Sequence, residues 1–273
     1  MSLKSFRNGL LLISIMLTVC ILSGCGSSSS STPAPSNPVG VAVDSSGNVY
    51  ATVITSDQVI KYNASGSIIT SWSTTGQPAG IAVDSQNNVY VADATNKLIR
   101  KYSSTGTAIL NWSTTGQPVN VAVDSSNNIY VTDATDSLVR EYDALGNSIT
   151  HWSTIGQPAG VAVDPTGTYV YVTDVSNNLV REYSLTPNQQ INSWSTTGVP
   201  SGVAVDSSGN VYVADQTNLL IRKYTSAGVL STSWSSTGQP VGIAVANSTS
   251  DIFVADFTNS MIREYTSSGT EIN

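Results

Sequence analysis

The chain has a single histidine, His151. General acid–base catalysis needs a base with an orienting partner, and a zinc site needs three or four ligands. His151 has neither nearby in sequence. It also holds a position that Ser71 and Asn111 fill in other copies of an internal repeat, so it reads as a surface residue. Glu141, Glu182 and Glu264 share one position, just before a repeated tyrosine, and Lys61, Lys101 and Lys223 hold it elsewhere. A position that takes either sign reads as a solvated face. Glu271 lies near the C-terminus. No serine sits in a nucleophile motif, and no glycine-rich loop opens a helix to cradle phosphate. The expectation is that there are no catalytic residues, no metal and no cofactor.

One charged pattern does repeat. Five copies place an arginine seven residues after an aspartate: Asp93 and Arg100, Asp133 and Arg140, Asp174 and Arg181, Asp215 and Arg222, Asp256 and Arg263. The first copy has Val53 and Ile60 there, so both charges vanish together. Joint loss is what a paired interaction predicts, because one partner alone leaves a desolvated charge. The expectation is a structural link across a hairpin. The alternative is a carboxylate ring that binds a cation, which needs no arginine beside each member. A second aspartate set, Asp44, Asp84, Asp124, Asp164 and Asp206, follows the first strand signal and reads as turn chemistry.

The elements that position these residues come from the repeat itself. Copies begin at Pro38, Pro78, Pro118, Pro158, Pro200 and Pro240. A period near 40 residues indicates a repeat architecture. Each copy holds four short runs of β-branched and aromatic residues, separated by Gly, Asn, Asp, Ser and Pro. In the fifth copy they are Val203–Val205, Val211–Ala214, Leu220–Tyr224 and Val229–Trp234. Four antiparallel strands repeated six times make an all-β, six-bladed propeller. Apolar residues fall on both alternation phases, as blades covered on both faces require. Small residues such as Gly202 and Ala204 suit the inner strand, and Trp72, Trp112, Trp152, Trp194 and Trp234 suit the outer one. The sixth copy stops two aligned positions before its tryptophan, so the expectation is either a short outer strand or a truncated frame.

The repeat resembles the NHL family. The resemblance rests on Pro78-Ala79-Gly80-Ile81-Ala82-Val83-Asp84, Asn88-Val89-Tyr90-Val91-Ala92-Asp93 and Ile99-Arg100, and it extends from Pro38 to Asn273. It implies a propeller similar in fold to streptogramin lyases, the peptidylhydroxyglycine lyase and lactonases. In those relatives the resemblance places His, Glu or metal sites on the axial mouth, and this chain lacks such a cluster. The reading is therefore a non-catalytic binding or scaffold propeller. A diverged lyase or hydrolase, or a passive structural or adhesive surface protein, are the alternatives. A binding site must break the repeat, and Ser56, Asp57, Asn120 and Asp136 do so on the loops expected to form one face.

Met1 to Arg7 carry two positive charges, Gly9 to Leu22 is apolar, and Leu22-Ser23-Gly24-Cys25 resembles a bacterial lipobox. The organisation expected is a lipoprotein signal peptide over 1–24, a Ser/Pro-rich tether over 25–37 and the propeller over 38–273. Lipid on Cys25 implies a membrane anchor and an extracytoplasmic place on the cell envelope, the outer membrane if the cell is Gram-negative. Without Lys4 and Arg7 the chain keeps nine of its 11 basic residues against 18 acidic ones, a net charge of −9. With no basic patch, nucleic acid is excluded as a partner. A monomer with an unidentified protein, peptide or carbohydrate ligand is expected.

Overall fold

A computed structural model describes residues 36–272. The expected signal sequence, Cys25 and most of the tether lie outside the described residues. Blade 1 is β1 (Pro38–Val43), β2 (Val49–Val53), β3 (Gln58–Tyr62) and β4 (Ile68–Ser73). Blade 2 is β5 (Pro78–Val83), β6 (Val89–Asp93), β7 (Leu98–Tyr102) and β8 (Ala108–Ser113). Blade 3 is β9 (Pro118–Val123), β10 (Ile129–Asp133), β11 (Leu138–Tyr142) and β12 (Ser148–Ser153). Blade 4 is β13 (Pro158–Val163), β14 (Tyr169–Asp174), β15 (Leu179–Leu185) and β16 (Asn188–Ser195). Blade 5 is β17 (Pro200–Val205), β18 (Val211–Asp215), β19 (Leu220–Tyr224) and β20 (Leu230–Ser235). Among the described residues blade 6 is β21 (Pro240–Val245), β22 (Ile252–Asp256) and β23 (Met261–Tyr265). Every blade is an antiparallel meander in sequence order.

The first strands sit innermost and pack side by side around the axis, with β1 against both β5 and β21, so the ring closes. Closure depends on close backbone approach. A Cβ on Gly242 would come within 2.5 Å of the Val39 carbonyl oxygen across the blade 6–blade 1 junction. The small residues of the inner strand are there for this reason. Four junctions add a side-chain latch. Thr52, Thr132, Thr173 and Ser201 donate hydroxyl hydrogen bonds of 2.6–2.8 Å to Ala79, Ala159, Ser201 and Val241 carbonyls of the next blade.

The two alternation phases of each second strand serve two different neighbours. Val211 and Val213 pack with Tyr171 and Val180 of blade 4, whereas Tyr212 and Ala214 pack with Ile243, Ile252 and Val254 of blade 6. The fourth-strand tryptophans fill the widening outer gaps. Trp72 lies 6.5 Å from the Tyr50 ring of its own blade and 5.8 Å from Tyr102 of the next. The other four tryptophans repeat this sandwich. Aromatic pairs at such tilts and spacings add to simple area burial.

The loop between second and third strands has one residue with positive φ in each blade: Asp57, Lys97, Ser137, Asn178, Leu219 and Ser260, at 51–56°. Leucine gains nothing in that region and loses about 1–2 kcal/mol to its Cβ contact with the backbone. Leu219→Asn is expected to raise the thermal midpoint by roughly 2–4 °C, since about 1 kcal/mol is recovered. Differential scanning calorimetry checks it, and an unchanged or lower midpoint would contradict the strain.

Candidate functional site

The loops joining strands 2 to 3 and the loops joining blades lie together on one face. Three main-chain and side-chain links hold them there in blade 2. Ala94 N donates to Gln77 O, Asn96 Nδ2 to Thr75 O, and Thr114 N to Lys97 O. The structure brings the five aspartate–arginine pairs together on this face. Arginine Nε lies 2.6–2.9 Å from the aspartate Oδ2 in each of the five. Each aspartate is 0–1% exposed.

The same carboxylates also fasten the loop. Asp93 Oδ1 accepts from Asn96 N and Oδ2 from Asn96 Nδ2 at 2.9 Å. Asp174, Asp215 and Asp256 repeat both bonds with Asn177, Asn218 and Asn259. Burial pushes the Asp174 carboxyl up. Hydrogen bonds from Asn177, Arg181 and Ser176 together outweigh that and hold it below the ordinary carboxylate range. With both oxygens engaged by donors of its own blade, each aspartate works as a loop fastener.

A glycine covers each carboxylate. A Cβ on Gly116 would strike Asp133 Oδ1, and one on Gly76, Gly156, Gly198 or Gly238 would strike the carboxylate of Asp93, Asp174, Asp215 or Asp256. The residue aligned with these glycines before blade 1 is Ser36. Ser36 thus carries a Cβ where the charged blades keep a glycine, and blade 1 has Val53 and Ile60 in place of the charges.

Sequence-predicted positions fall differently on this frame. Ser56 and Asp57 are exposed on the blade 1 loop. Asp136 replaces the fastening asparagine in blade 3 and forms a second ion pair to Arg140 at 2.6 Å. Asn120 lies within β9, not on a loop tip. Its backbone N donates to Thr132 Oγ1, and its side-chain oxygen accepts from Val121 N. His151 is exposed on β12, opposite Arg140 in the strand register. Ser36 and Asn37, assigned to the tether, already touch the propeller. Thr55 Oγ1 donates to Ser36 O, and Asn37 Nδ2 donates to Phe257 O. No group of three or more His, Cys, Asp or Glu side chains could hold a metal ion among the described residues.

On the opposite face the position shared by lysine and glutamate is not a solvated face. It is the cross-strand partner of the buried second-strand tyrosine, as in Tyr50 with Lys61 and Tyr171 with Glu182. Lys61 is 9% and Glu182 6% exposed. Lys61, Lys101 and Lys223 lie 4.8–5.1 Å over the rings of Tyr50, Tyr90 and Tyr212. Tyr50 OH donates to Asp44 Oδ2 at 3.1 Å, and Tyr171 OH to Glu182 Oε1 at 3.2 Å. Four of the second aspartate set, Asp44, Asp84, Asp124 and Asp206, therefore do more than shape turns, because they accept from the tyrosine hydroxyl as well as from the turn amides. The sequence carried a signal for this. Blade 6 loses the aspartate and the hydroxyl together, as Ala246 and Phe253.

Burial pushes the Glu182 and Glu141 carboxyls up, and the charges of Asp164 and Asp124 add to it. A carboxyl raised on folding stabilises the fold in acid, and that contribution is lost as pH climbs through its folded-state value. Glu182→Gln is expected to raise the thermal midpoint at about pH 7.5, with the gain shrinking towards about pH 4. Equal midpoint shifts at both pH values would refute this electrostatic origin.

The NHL repeat pattern matches residues 75–102 and 197–224, each running from an inter-blade loop through a third strand. The chain is a six-bladed propeller with NHL repeats. No curated protein matches it by sequence. Among solved structures, this NHL-repeat propeller is similar to streptogramin B lyase. The TM-score is 0.69 and the identity 16%, covering 89% of this chain and 84% of that one. It is also similar to a gluconolactonase from Xanthomonas campestris, with TM-score 0.71 and 14% identity, covering 83% of this chain and 84% of that one. A third is the Kuenenia stuttgartiensis hydrazine synthase, with TM-score 0.69 and 10% identity, covering 90% of this chain and 100% of that one. At these identities the likeness is one of fold.

Proposed function

We propose that this NHL-repeat propeller is a non-catalytic binding domain, held on the cell envelope by lipid on Cys25, whose ligand face is the one fastened by the aspartate–arginine pairs. The observation that carries the reading is Leu219. It is held at φ 54° and is 41% exposed on a loop whose backbone makes the same positive-φ turn in every blade. The fold gains nothing from an exposed, strained leucine, and such strain concentrates at functional sites. Ile155, on the inter-blade loop that enters blade 4, is 80% exposed on the same face. Fixed frames with different tips (Asp57, Lys97, Ser137, Asn178, Leu219, Ser260) suit recognition of an extended ligand such as a peptide.

The streptogramin and lactone chemistry of the structural neighbours is not adopted in this reading. The aspartates of the face are already engaged by arginine and asparagine, and His151 stands on an outer strand. The test is an arrayed peptide and glycan screen with the purified chain, repeated with Leu219→Asp and Ile155→Ser. Hits are expected to weaken by at least roughly tenfold in both variants, with Ile109→Ser on the outer strand as an unaffected control. Measured opening of a lactone or of a streptogramin-type ring would overturn the reading. Cys25→Ser is expected to move the protein from the membrane fraction to the soluble one, and unchanged partitioning would remove the anchor.

A further inference from the structure

The loop face differs from one side to the other. On the loop entering a blade, Thr75, Thr115, Thr197 and Thr237 share one position, and the blade 4 loop has Ile155 there. Gln77, Gln117, Gln157 and Gln239 share another, and the blade 5 loop has Val199 there. The tips of the loops between second and third strands are polar in five blades, and blade 5 has Leu219. All three departures exchange a polar residue for an aliphatic one, and all three fall on blades 4 and 5. Unselected drift has no reason to make one kind of exchange on neighbouring loops alone.

Hydrogen bonds tie these loops together. Gln157 N donates to Ser176 Oγ and Val175 N to Gln157 O, so the Ile155 loop lies against the loop of the partly exposed Val175. Val199 N donates to Thr217 Oγ1 and Gln216 N to Val199 O, so Val199 lies against the loop of Leu219. Thr196 N donates to Asn178 O and joins the two pairs of loops. No charged residue occurs in 154–157, 175–178, 196–199 or 216–219. The exposed charges on loops of this face, Asp57, Lys97 and Asp136, belong to blades 1 to 3.

We infer that blades 4 and 5 take the aliphatic side chains of an uncharged peptide segment, one against Ile155 and Val175 and one against Val199 and Leu219. This rests on the loop-face reading above and names the ligand class of that face. A charged side chain buried here finds no counter-charge and pays its desolvation in full. A bare acyl chain would cover Thr197, Gln216 and Thr217, which stand on the same loops, and give their polar groups nothing to bond. A peptide brings a donor and an acceptor with nearly every residue. No aromatic ring stands on these four loops to stack against a sugar.

The test passes a random heptapeptide library of Leu, Val, Ser, Asp, Lys and Tyr over the immobilised whole chain and sequences what is retained. Retained peptides are expected to carry at least two Leu or Val and to be depleted in Asp and Lys by at least roughly tenfold. The best of them is then labelled and titrated by anisotropy. Ile155→Thr with Val199→Gln restores residues that the same loops carry in other blades, so the frame accepts them. That double variant is expected to bind at least roughly tenfold more weakly, and Ile109→Ser on the outer strand to bind as the parent does. Retention of charged or tyrosine-rich peptides, no retention, or equal affinity in the double variant would overturn the inference. Glycans or charged peptides from the wider screen that still depend on Leu219 would leave the loop face standing and remove only this ligand class.

Discussion

Asp215→Ala is expected to destabilise the propeller by about 3–5 kcal/mol, and Asp215→Val with Arg222→Ile to return most of that loss. Asp215 is 0% exposed, and Arg222 Nε lies 2.8 Å from its Oδ2. Removing the carboxylate leaves a guanidinium whose side chain is 10% exposed without its anion. It also strips the acceptor from Asn218 N and Nδ2. The double replacement removes both charges and copies Val53 and Ile60, which blade 1 carries at these positions at 1% and 8% exposure. Apolar substitutes for buried ion pairs are often neutral, so the double variant should lie within about 2 kcal/mol of the parent, the remainder being lost loop bonds. Urea denaturation of the parent, both single variants and the double variant gives the coupling directly. A double variant as weak as Asp215→Ala would show that the loop bonds, and not charge pairing, carry the stability.

That pair was legible in the sequence because two positions changed together in one copy. The blade pattern was legible for a similar reason: β-branched alternation recurs six times in phase, and a strand slipped by one residue would turn its buried set outward. The tyrosine network was not read, although Ala246 and Phe253 change together in the same manner. Lys61 and Glu182 looked solvated because both signs occur there. The strand register instead places each over or beside a buried tyrosine, and the ring face accepts a cation while the hydroxyl serves a carboxylate. The strained loop tips were hidden for another reason. Positive φ is set by the frame of the loop, and neither Lys97 nor Leu219 advertises it. Asn120 was misplaced because a broken repeat position says nothing about whether the residue lies in a strand or a loop.

Gly242→Val tests ring closure and is expected to cost about 3 kcal/mol, the upper part of the range for overpacking. The new Cβ would meet Val39 O at 2.5 Å, Gly40 Cα at 3.0 Å and Val41 N at 3.0 Å. All three are main-chain atoms held in β1, so no side chain can swing away to make room. Relief requires β21 to part from β1, and that loosens the junction where the first and last blades meet. Among the described residues no tryptophan wedges the outer side of this junction, and Ala255 stands where Thr52, Thr132 and Thr173 latch other junctions, as Ala92 does between blades 2 and 3. Blade 3 carries Asn120 at the equivalent inner-strand position, so an unbranched side chain is tolerated in one setting. Gly242→Asn should therefore be milder than Gly242→Val. The valine variant is expected to lose roughly 6–12 °C in thermal midpoint. Its amides in β1 and β21 should exchange faster than those in β9 and β13, because opening begins at the junction that is held least. Uniform exchange across all six inner strands would mean that the ring does not open there.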